Sequence, residues 1–267
     1  LGGKVAGATF TDAIHFARNE TEPYLRYQSR PNVPENHDIK YEKGMILHKD
    51  FMYYEVFGLN EDEWRRFIST YQLLIENTDR HIGQLMRSVK NKGISDNTII
   101  IFTTDHGEMA GSHKLIAKTT FYEESSKIPI IIKYPKRIKP KTVVENALVG
   151  TIDIMPSLLD LADVSVPDDL DGRSFKNEII NPNSKKNKFN VVYSQNQFGR
   201  MVRFDNFKYV RSIVYKERYE ILFDIKNDPL ESENLINKIK YNNVVDQARN
   251  LLDEWLNNEN TFLINQR

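Results

Sequence analysis

The sequence predicts an α/β fold: part of a central, mostly parallel sheet flanked by helices, followed by a small C-terminal antiparallel sheet with a terminal helix. Three observations support this prediction. A long amphipathic segment at residues 61–91 precedes an apolar run at residues 98–104, which together form half of a strand–helix–strand unit. A second apolar run occupies residues 128–134. After residue 176 the chain contains four short strand-like pieces and an amphipathic helix at residues 243–257.

The composition restricts the class of protein. With 267 residues and 40% hydrophobic content, the chain suffices for one large domain or a domain with a smaller appendage. A formal net charge of +0 argues against nucleic acid as a partner. The absence of cysteine excludes disulfides, a thiol nucleophile and cysteine metal sites within this chain. No apolar run reaches the roughly 18 residues of a membrane span, and the first residues do not resemble a signal peptide.

The segment at residues 61–91 is the clearest predicted helix. Its apolar side chains recur at the i, i+3, i+4, i+7 spacing of one helix face. Asn60 is the expected N-cap, with Glu63 three residues later completing a capping box. Gly93 is the expected stop. We therefore expect this face to pack against the sheet.

The apolar runs after this helix are predicted strands. Residues 98–104 are apolar on both faces, which is typical of a buried parallel strand, and residues 128–134 form a second buried strand. Residues 143–149 are a third candidate. A short helix is expected at residues 153–161, with Pro156 in its first turn.

The segments before and after the central region are predicted from shorter patterns. Residues 12–19 are a candidate short helix and residues 29–50 a surface loop. Residues 176–190 are polar and are expected to form an exposed connector. The strand-like pieces that follow are predicted to form antiparallel hairpins, at residues 190–195, 200–204, 207–214 and 219–225.

Polar side chains follow the first apolar run directly. Asp105 and His106 come where the strand ends, which is the edge at which open α/β sheets bind ligands. A carboxylate and an imidazole can both ligate a divalent cation, and Gly107 permits a sharp turn and a close approach of the backbone. The alternative is that Asp105 caps a turn and His106 packs. Lys118 can hold an anionic oxygen as a point charge; alternatively it is a solvated loop lysine, and Lys114 competes for the same role.

Ordered blocks of sequence around this segment resemble the sulfatases of the alkaline phosphatase superfamily, and the match covers roughly residues 60–236. The blocks near the polar segment are Thr104 to Glu108, Gly111 to His113, Lys118, Tyr122 to Ser125 and Ile128 to Ile130. The later blocks are residues 150–161, 170–174 and 222–235.

This resemblance implies a sulfuric ester hydrolase acting on a sulfated carbohydrate or an aryl sulfate. Asp105 and His106 match two ligands of the family's calcium ion. Lys118 matches the lysine that binds the sulfate ester, and His113 matches a histidine near the pocket. By this resemblance both residues are expected to act in catalysis. The family suggests a periplasmic or secreted location. A metal-dependent phosphoesterase of the same superfamily and a non-catalytic sulfatase-like remnant remain alternatives.

The sequence also departs from the family pattern. The family's nucleophile is a formylglycine made from Cys or Ser in a C/S-x-P-x-R motif near the N-terminus. That motif is absent, and so is the family's N-terminal Asp-Asp metal pair that follows a first strand. Asn32 and His37 are rival matches for a further pocket histidine. We therefore expect this chain to be the C-terminal part of a sulfatase, with the nucleophile upstream of it.

In such a fragment, residues 1–175 are expected to form the C-terminal part of the catalytic domain, and residues 176–267 a small α+β subdomain. The chain alone is then expected to be inactive. Because part of the fold is missing, exposed strand edges are expected to promote self-association.

Overall fold

The computed structural model describes residues 59–145, 147–182, 189–214 and 217–258. The candidate helix at residues 12–19, the loop at 29–50, Asn32 and His37 lie outside the described residues. The helices are α1 (Glu61–Asn91), α2 (Glu123–Ser126), α3 (Ile154–Leu161), α4 (Lys176–Ile180) and α5 (Asn242–Asn258). The strands are β1 (Ile100–Phe102), β2 (Ile131–Lys133), β3 (Val191–Asn196), β4 (Gly199–Phe204), β5 (Phe207–Val214) and β6 (Glu217–Asp224).

Helix α1 confirms the predicted boundaries. The Asn60 side chain accepts a hydrogen bond from the Glu63 N–H at 3.0 Å, and the Glu63 carboxylate accepts one from the Asn60 N–H at 2.8 Å. This capping box satisfies two backbone donors at the first turn. Gly93 follows the helix with φ +69°, a conformation that glycine adopts without steric cost. The buried Trp64 and Phe67 then anchor the first turns of α1 in the core.

Strands β1 and β2 pair antiparallel, with Ile101 opposite Ile132, whereas a parallel strand was expected. The described connection between them contains only short helical segments, and a parallel neighbour needs a long crossover, usually helical. The α/β class is confirmed. The expected burial on both faces is not seen, because Ile131 is 63% exposed.

The segment at residues 143–149 is not a strand in its described part. Its contact with the C-terminal half is a backbone bond, in which the Leu148 N–H donates to the Phe189 carbonyl at 2.6 Å. Apolar composition alone therefore overestimated this strand.

Helix α3 confirms the predicted short helix, and α4 replaces the start of the expected connector. The Lys176 ammonium lies 2.8 Å from an Asp160 carboxylate oxygen, which ties α4 to α3. Gly172 packs so closely that a Cβ there would lie 2.0 Å from the Ile152 carbonyl. The boundary at residue 176 remains a prediction.

The C-terminal sheet has the order β3-β4-β5-β6 and is antiparallel throughout, which confirms the predicted hairpins. Alternating side chains cover its two faces. One face packs against the loop after β1, through Met201, Val210, Ile221 and Phe223 against Met109, Leu115, Phe121 and Tyr122. The other face packs against α5, through Val202, Phe204, Tyr209 and Leu222 against Val245, Ala248 and Leu252. Within the described part of the chain, no helix has the length and apolarity needed to span a membrane.

Candidate metal and anion site

The turn after β1 fixes the Asp105 carboxylate. Its Oδ1 accepts hydrogen bonds from the Thr104 hydroxyl at 3.1 Å and from the His106 N–H at 3.0 Å. The Thr104 bond is the main reason that the pKa of Asp105 lies below its ordinary value. The side chain is exposed. Asp105 is therefore an ionised oxygen donor that faces outward at neutral pH.

The His106 ring is oriented by a backbone oxygen. Its Nδ1 lies 2.8 Å from the Gly107 carbonyl, which can only accept, so Nδ1 carries the proton. In the neutral form of the ring the lone pair is therefore on Nε2, which lies 3.5 Å from Asp105 Oδ2. A histidine that ligates a metal through one ring nitrogen usually donates the N–H of the other to an oxygen such as this carbonyl. The donor pair therefore fits a divalent cation.

The pair is incomplete as a metal site. Among the residues that the structure describes, no group of three or more His, Cys, Asp or Glu side chains is placed to hold a metal ion. Calcium usually takes six to eight oxygen ligands. Asp105 and His106 therefore fit part of a coordination shell.

Gly107 lets the turn approach α2 directly. Its N–H donates to the Ser125 carbonyl at 2.8 Å, and a Cβ on Gly107 would lie 1.9 Å from the Glu124 carbonyl oxygen. A residue with a side chain does not fit here without moving the backbone. The predicted close approach at Gly107 is confirmed.

Glu108 closes the loop that carries Lys118. Its carboxylate accepts hydrogen bonds from the N–H groups of Ala110, at 3.2 Å, and Ala117. Burial raises the pKa of Glu108, against the opposing effects of those bonds and of Lys118 and His106. Glu108 therefore lies within electrostatic reach of Lys118 and His106. Sequence reasoning assigned it no role, although it belongs to the block that carried the resemblance.

The loop itself is held in an unusual conformation. Five non-glycine residues in it have positive φ, namely Ala110 (46°), His113 (52°), Lys114 (59°), Ala117 (65°) and Thr119 (78°). Such angles cost a non-glycine residue roughly 1–2 kcal/mol each. Buried contacts of Ile116 with Trp64 and Phe67 help to hold the loop in this shape. Clustered backbone strain of this kind is typical of functional sites.

Lys118 follows the anchored Ala117 and is exposed. The Thr119 hydroxyl donates to the Lys118 carbonyl, and the Asn196 amide donates to the Thr119 carbonyl at 3.2 Å. The backbone at Lys118 is thus held between the loop and the β3–β4 hairpin. Lys114 is also exposed, and it is separated from Lys118 by the buried residues 115–117.

His113 lies on the buried side of the same loop and is 1% exposed. Its ring stacks on Tyr122, with the centroids 3.7 Å apart. Burial lowers the pKa of His113, while Glu124 acts in the opposite direction. The imidazole is therefore neutral at pH 7 and is in contact with the core.

The fold and the site together define an α/β protein with a candidate metal and anion site at the end of a strand. A sulfatase family model matches residues 10–164. A model of the C-terminal region of N-sulphoglucosamine sulphohydrolase matches residues 111–258. The chain belongs to the sulfatase family. Membership suggests a divalent metal and a formylglycine in general.

Individual relatives agree with this assignment. An ulvan-active sulfatase of Formosa agariphila is 33% identical over 190 residues, covering 67% of this chain and 36% of the relative. A solved structure in complex with its substrate D-glucosamine-2-N,6-O-disulfate has a TM-score of 0.64 at 27% identity, covering 73% of this chain and 41% of that one. A 2-O GAG sulfatase structure has a TM-score of 0.76 at 22% identity, covering 93% and 62%, and supports the fold. The chain thus spans about two fifths of the length of the first two relatives.

Proposed function

We propose that the protein carrying this chain hydrolyses sulfate esters of a carbohydrate or an aryl alcohol, and that this chain supplies part of its metal and sulfate site. The observation that carries the proposal is the Asp105–His106 pair, whose oriented donors share one exposed turn next to the loop of Lys118. A relative named as an ulvan-active sulfatase and one solved with a disulfated glucosamine support a sulfated glycan as the substrate class.

Asp105 and His106 would hold the cation, proposed to be calcium. An ion bound there would supply a Lewis acid that polarises the sulfate group. The protein's own part is to keep Asp105 ionised through the Thr104 hydrogen bond, and to keep the His106 lone pair on Nε2 through the Gly107 carbonyl. Further carboxylate or imidazole ligands would come from outside the described residues.

Lys118 is the proposed sulfate-binding residue. Its ammonium would donate to a sulfate oxygen and offset the negative charge that develops on the leaving oxygen. His113 was predicted to act in catalysis. Its neutral, buried ring stacked on Tyr122 supports a positioning role behind the loop.

The attacking group is the part of the reaction that this sequence does not supply, since it contains no C/S-x-P-x-R motif. We therefore expect no sulfatase turnover from the isolated 267-residue chain. Multiple turnover by that chain would refute this expectation.

The substrate class is tested on the full-length protein that carries this chain. An aryl sulfate, sulfated disaccharides and the matching phosphate esters are assayed side by side, with and without a calcium chelator. We expect sulfate release that falls on chelation and returns with calcium. Faster cleavage of the phosphate esters would favour the phosphoesterase alternative, and no cleavage of either would favour a non-catalytic remnant.

A further inference from the structure

A buried ion cluster joins the C-terminal sheet to the segment that supports the candidate site. Lys208 on β5 is 0% exposed, and its ammonium lies 2.6 Å from a Glu123 carboxylate oxygen and 2.8 Å from one of Glu231. The same ammonium donates to the Phe121 carbonyl at 2.9 Å. Three oxygen atoms thus lie within 2.9 Å of an ammonium that carries three donors. A buried lysine is rare unless it is paired in this way.

Glu231 completes the cluster from the turn after β6. It is 1% exposed, and its second carboxylate oxygen accepts the Glu123 N–H at 2.6 Å. Its own backbone has φ +52°, so the turn adopts an unfavourable conformation that delivers this carboxylate to the interior. Arg203 also lies within electrostatic reach of both glutamates. Strand β5 and the turn after β6 therefore contact residues 121–123 through ionisable groups at fixed positions.

Residues 121–126 in turn contact both parts of the candidate site. The Ser125 carbonyl accepts the Gly107 N–H, which fixes the turn of Asp105 and His106. Tyr122 stacks on His113, which lies in the loop that ends at Lys118. Both paths from Lys208 run through residues 121–125, by contacts between groups that are buried or half-buried.

We propose that Lys208, with Glu123 and Glu231, is a positioning centre through which the C-terminal sheet sets the location of the Asp105–Gly107 turn and of the Lys118 loop. This inference rests on the proposed function for its importance to catalysis, but its structural claim is independent of any activity. The cluster acts through residues 121–125, and Lys208 is a positioning residue.

The test is amide hydrogen exchange in the full chain, comparing Lys208→Met with the unmodified protein. The reporters are the N–H groups of Gly107, Met109 and Gly111. They donate hydrogen bonds to the carbonyls of Ser125, Ala117 and Leu115, respectively. We expect exchange about tenfold faster at these three amides, with the amides of α5 unchanged. The matched control is Lys238→Met, which removes an exposed ion pair with Glu233 in the same subdomain and leaves all these amides unchanged.

Two results would overturn the proposal. One is unchanged exchange at Gly107, Met109 and Gly111, and the other is an equal increase at every amide, including those of α5. If Lys208→Met does not fold, Glu231→Gln keeps the side-chain volume and is expected to accelerate the same three amides about threefold. A local increase with no sulfatase activity in the full-length protein would contradict the proposed function and leave the positioning role intact.

Discussion

The C-terminal sheet and the β1–β2 ladder are both antiparallel and both carry many apolar side chains, but they differ in what covers them. Phe223 and Val210 in the C-terminal sheet are fully buried, because their face of the sheet packs against the loop after β1. Helix α5 covers the opposite face. In the ladder, Ile131 is 63% exposed and Phe102 is also exposed. The C-terminal sheet is thus covered on both faces, whereas the ladder has an uncovered apolar face among the described residues.

This difference indicates where the candidate site gets its support. The turn of Asp105 follows the uncovered ladder, yet its N–H contacts lead to α2 and from there to the C-terminal sheet. The loop that carries Lys118 likewise packs on that sheet and on the first turns of α1. Self-association of the isolated chain, expected from exposed strand edges, remains a prediction. Sedimentation at several protein concentrations measures it.

The largest expected effect compares one apolar side chain in each region. Phe223→Ala removes a fully buried ring from the C-terminal sheet and should lower the free energy of unfolding by about 3–5 kcal/mol. Ile131→Ala on the exposed ladder should cost about 1 kcal/mol or less. Urea unfolding measures both, and equal losses would contradict the described difference in covering.

The second prediction concerns the contact of the site turn with α2. Gly107→Ala forces a methyl group to within 1.9 Å of the Glu124 carbonyl, so the turn must move, at a cost of about 1–3 kcal/mol or more. The matched control is Gly83→Ala in α1, which meets only the flexible Arg87 side chain and should stabilise the helix by roughly 0.5–1 kcal/mol. Thermal unfolding of both variants checks the opposite signs, and a neutral Gly107→Ala would contradict the geometry.

The third prediction is a pH dependence of stability at Glu231. Burial raises the pKa of Glu231 from 4.5 to about 7, against the opposing effect of Lys208. Lys208, Glu123 and Arg203 are the charged groups that face it. Between those two pKa values the folded chain keeps a proton that the unfolded chain loses, so unfolding releases a proton. The contribution of Glu231 to stability therefore falls as the pH rises through this window.

The measurement is the difference in unfolding free energy between the unmodified chain and Glu231→Gln at several pH values. We expect the unmodified chain to lose roughly 1–3 kcal/mol relative to the variant from about pH 4.5 to about pH 7. Glu233→Gln is the control, because Glu233 lies in the same turn but is exposed and paired with Lys238. A difference that is constant or rises with pH would contradict the burial of Glu231.

Local sequence patterns predicted a large share of this structure. Helix α1 was predicted at its observed boundaries, because its periodicity and its capping box are both local. The hairpins of the C-terminal sheet and the position of Asp105 and His106 at a strand end were predicted for the same reason. The antiparallel pairing of β1 with β2 was not, since no local pattern specifies which distant strand becomes the neighbour.

The support of the site was also hidden from sequence. Glu123 and Glu231 are 108 residues apart, and Lys208 is an ordinary lysine near the start of a strand pattern. Composition assigns such residues to the surface, because lysine and glutamate are rarely buried. The anchoring of Ala117 by Glu108 likewise depends on a loop conformation with several positive φ angles, which sequence rules for non-glycine residues do not anticipate.

Lys118 is the proposed sulfate-binding residue, and it lies at the end of a loop that packs on the C-terminal sheet. The most direct measurement compares Lys118→Ala with Lys114→Ala in the full-length protein, by sulfate-ester hydrolysis and circular dichroism. We predict that Lys118→Ala lowers kcat by about 100-fold or more with the fold retained, whereas Lys114→Ala stays within about twofold. Equal activities, or a larger loss in Lys114→Ala, would contradict the assignment of Lys118.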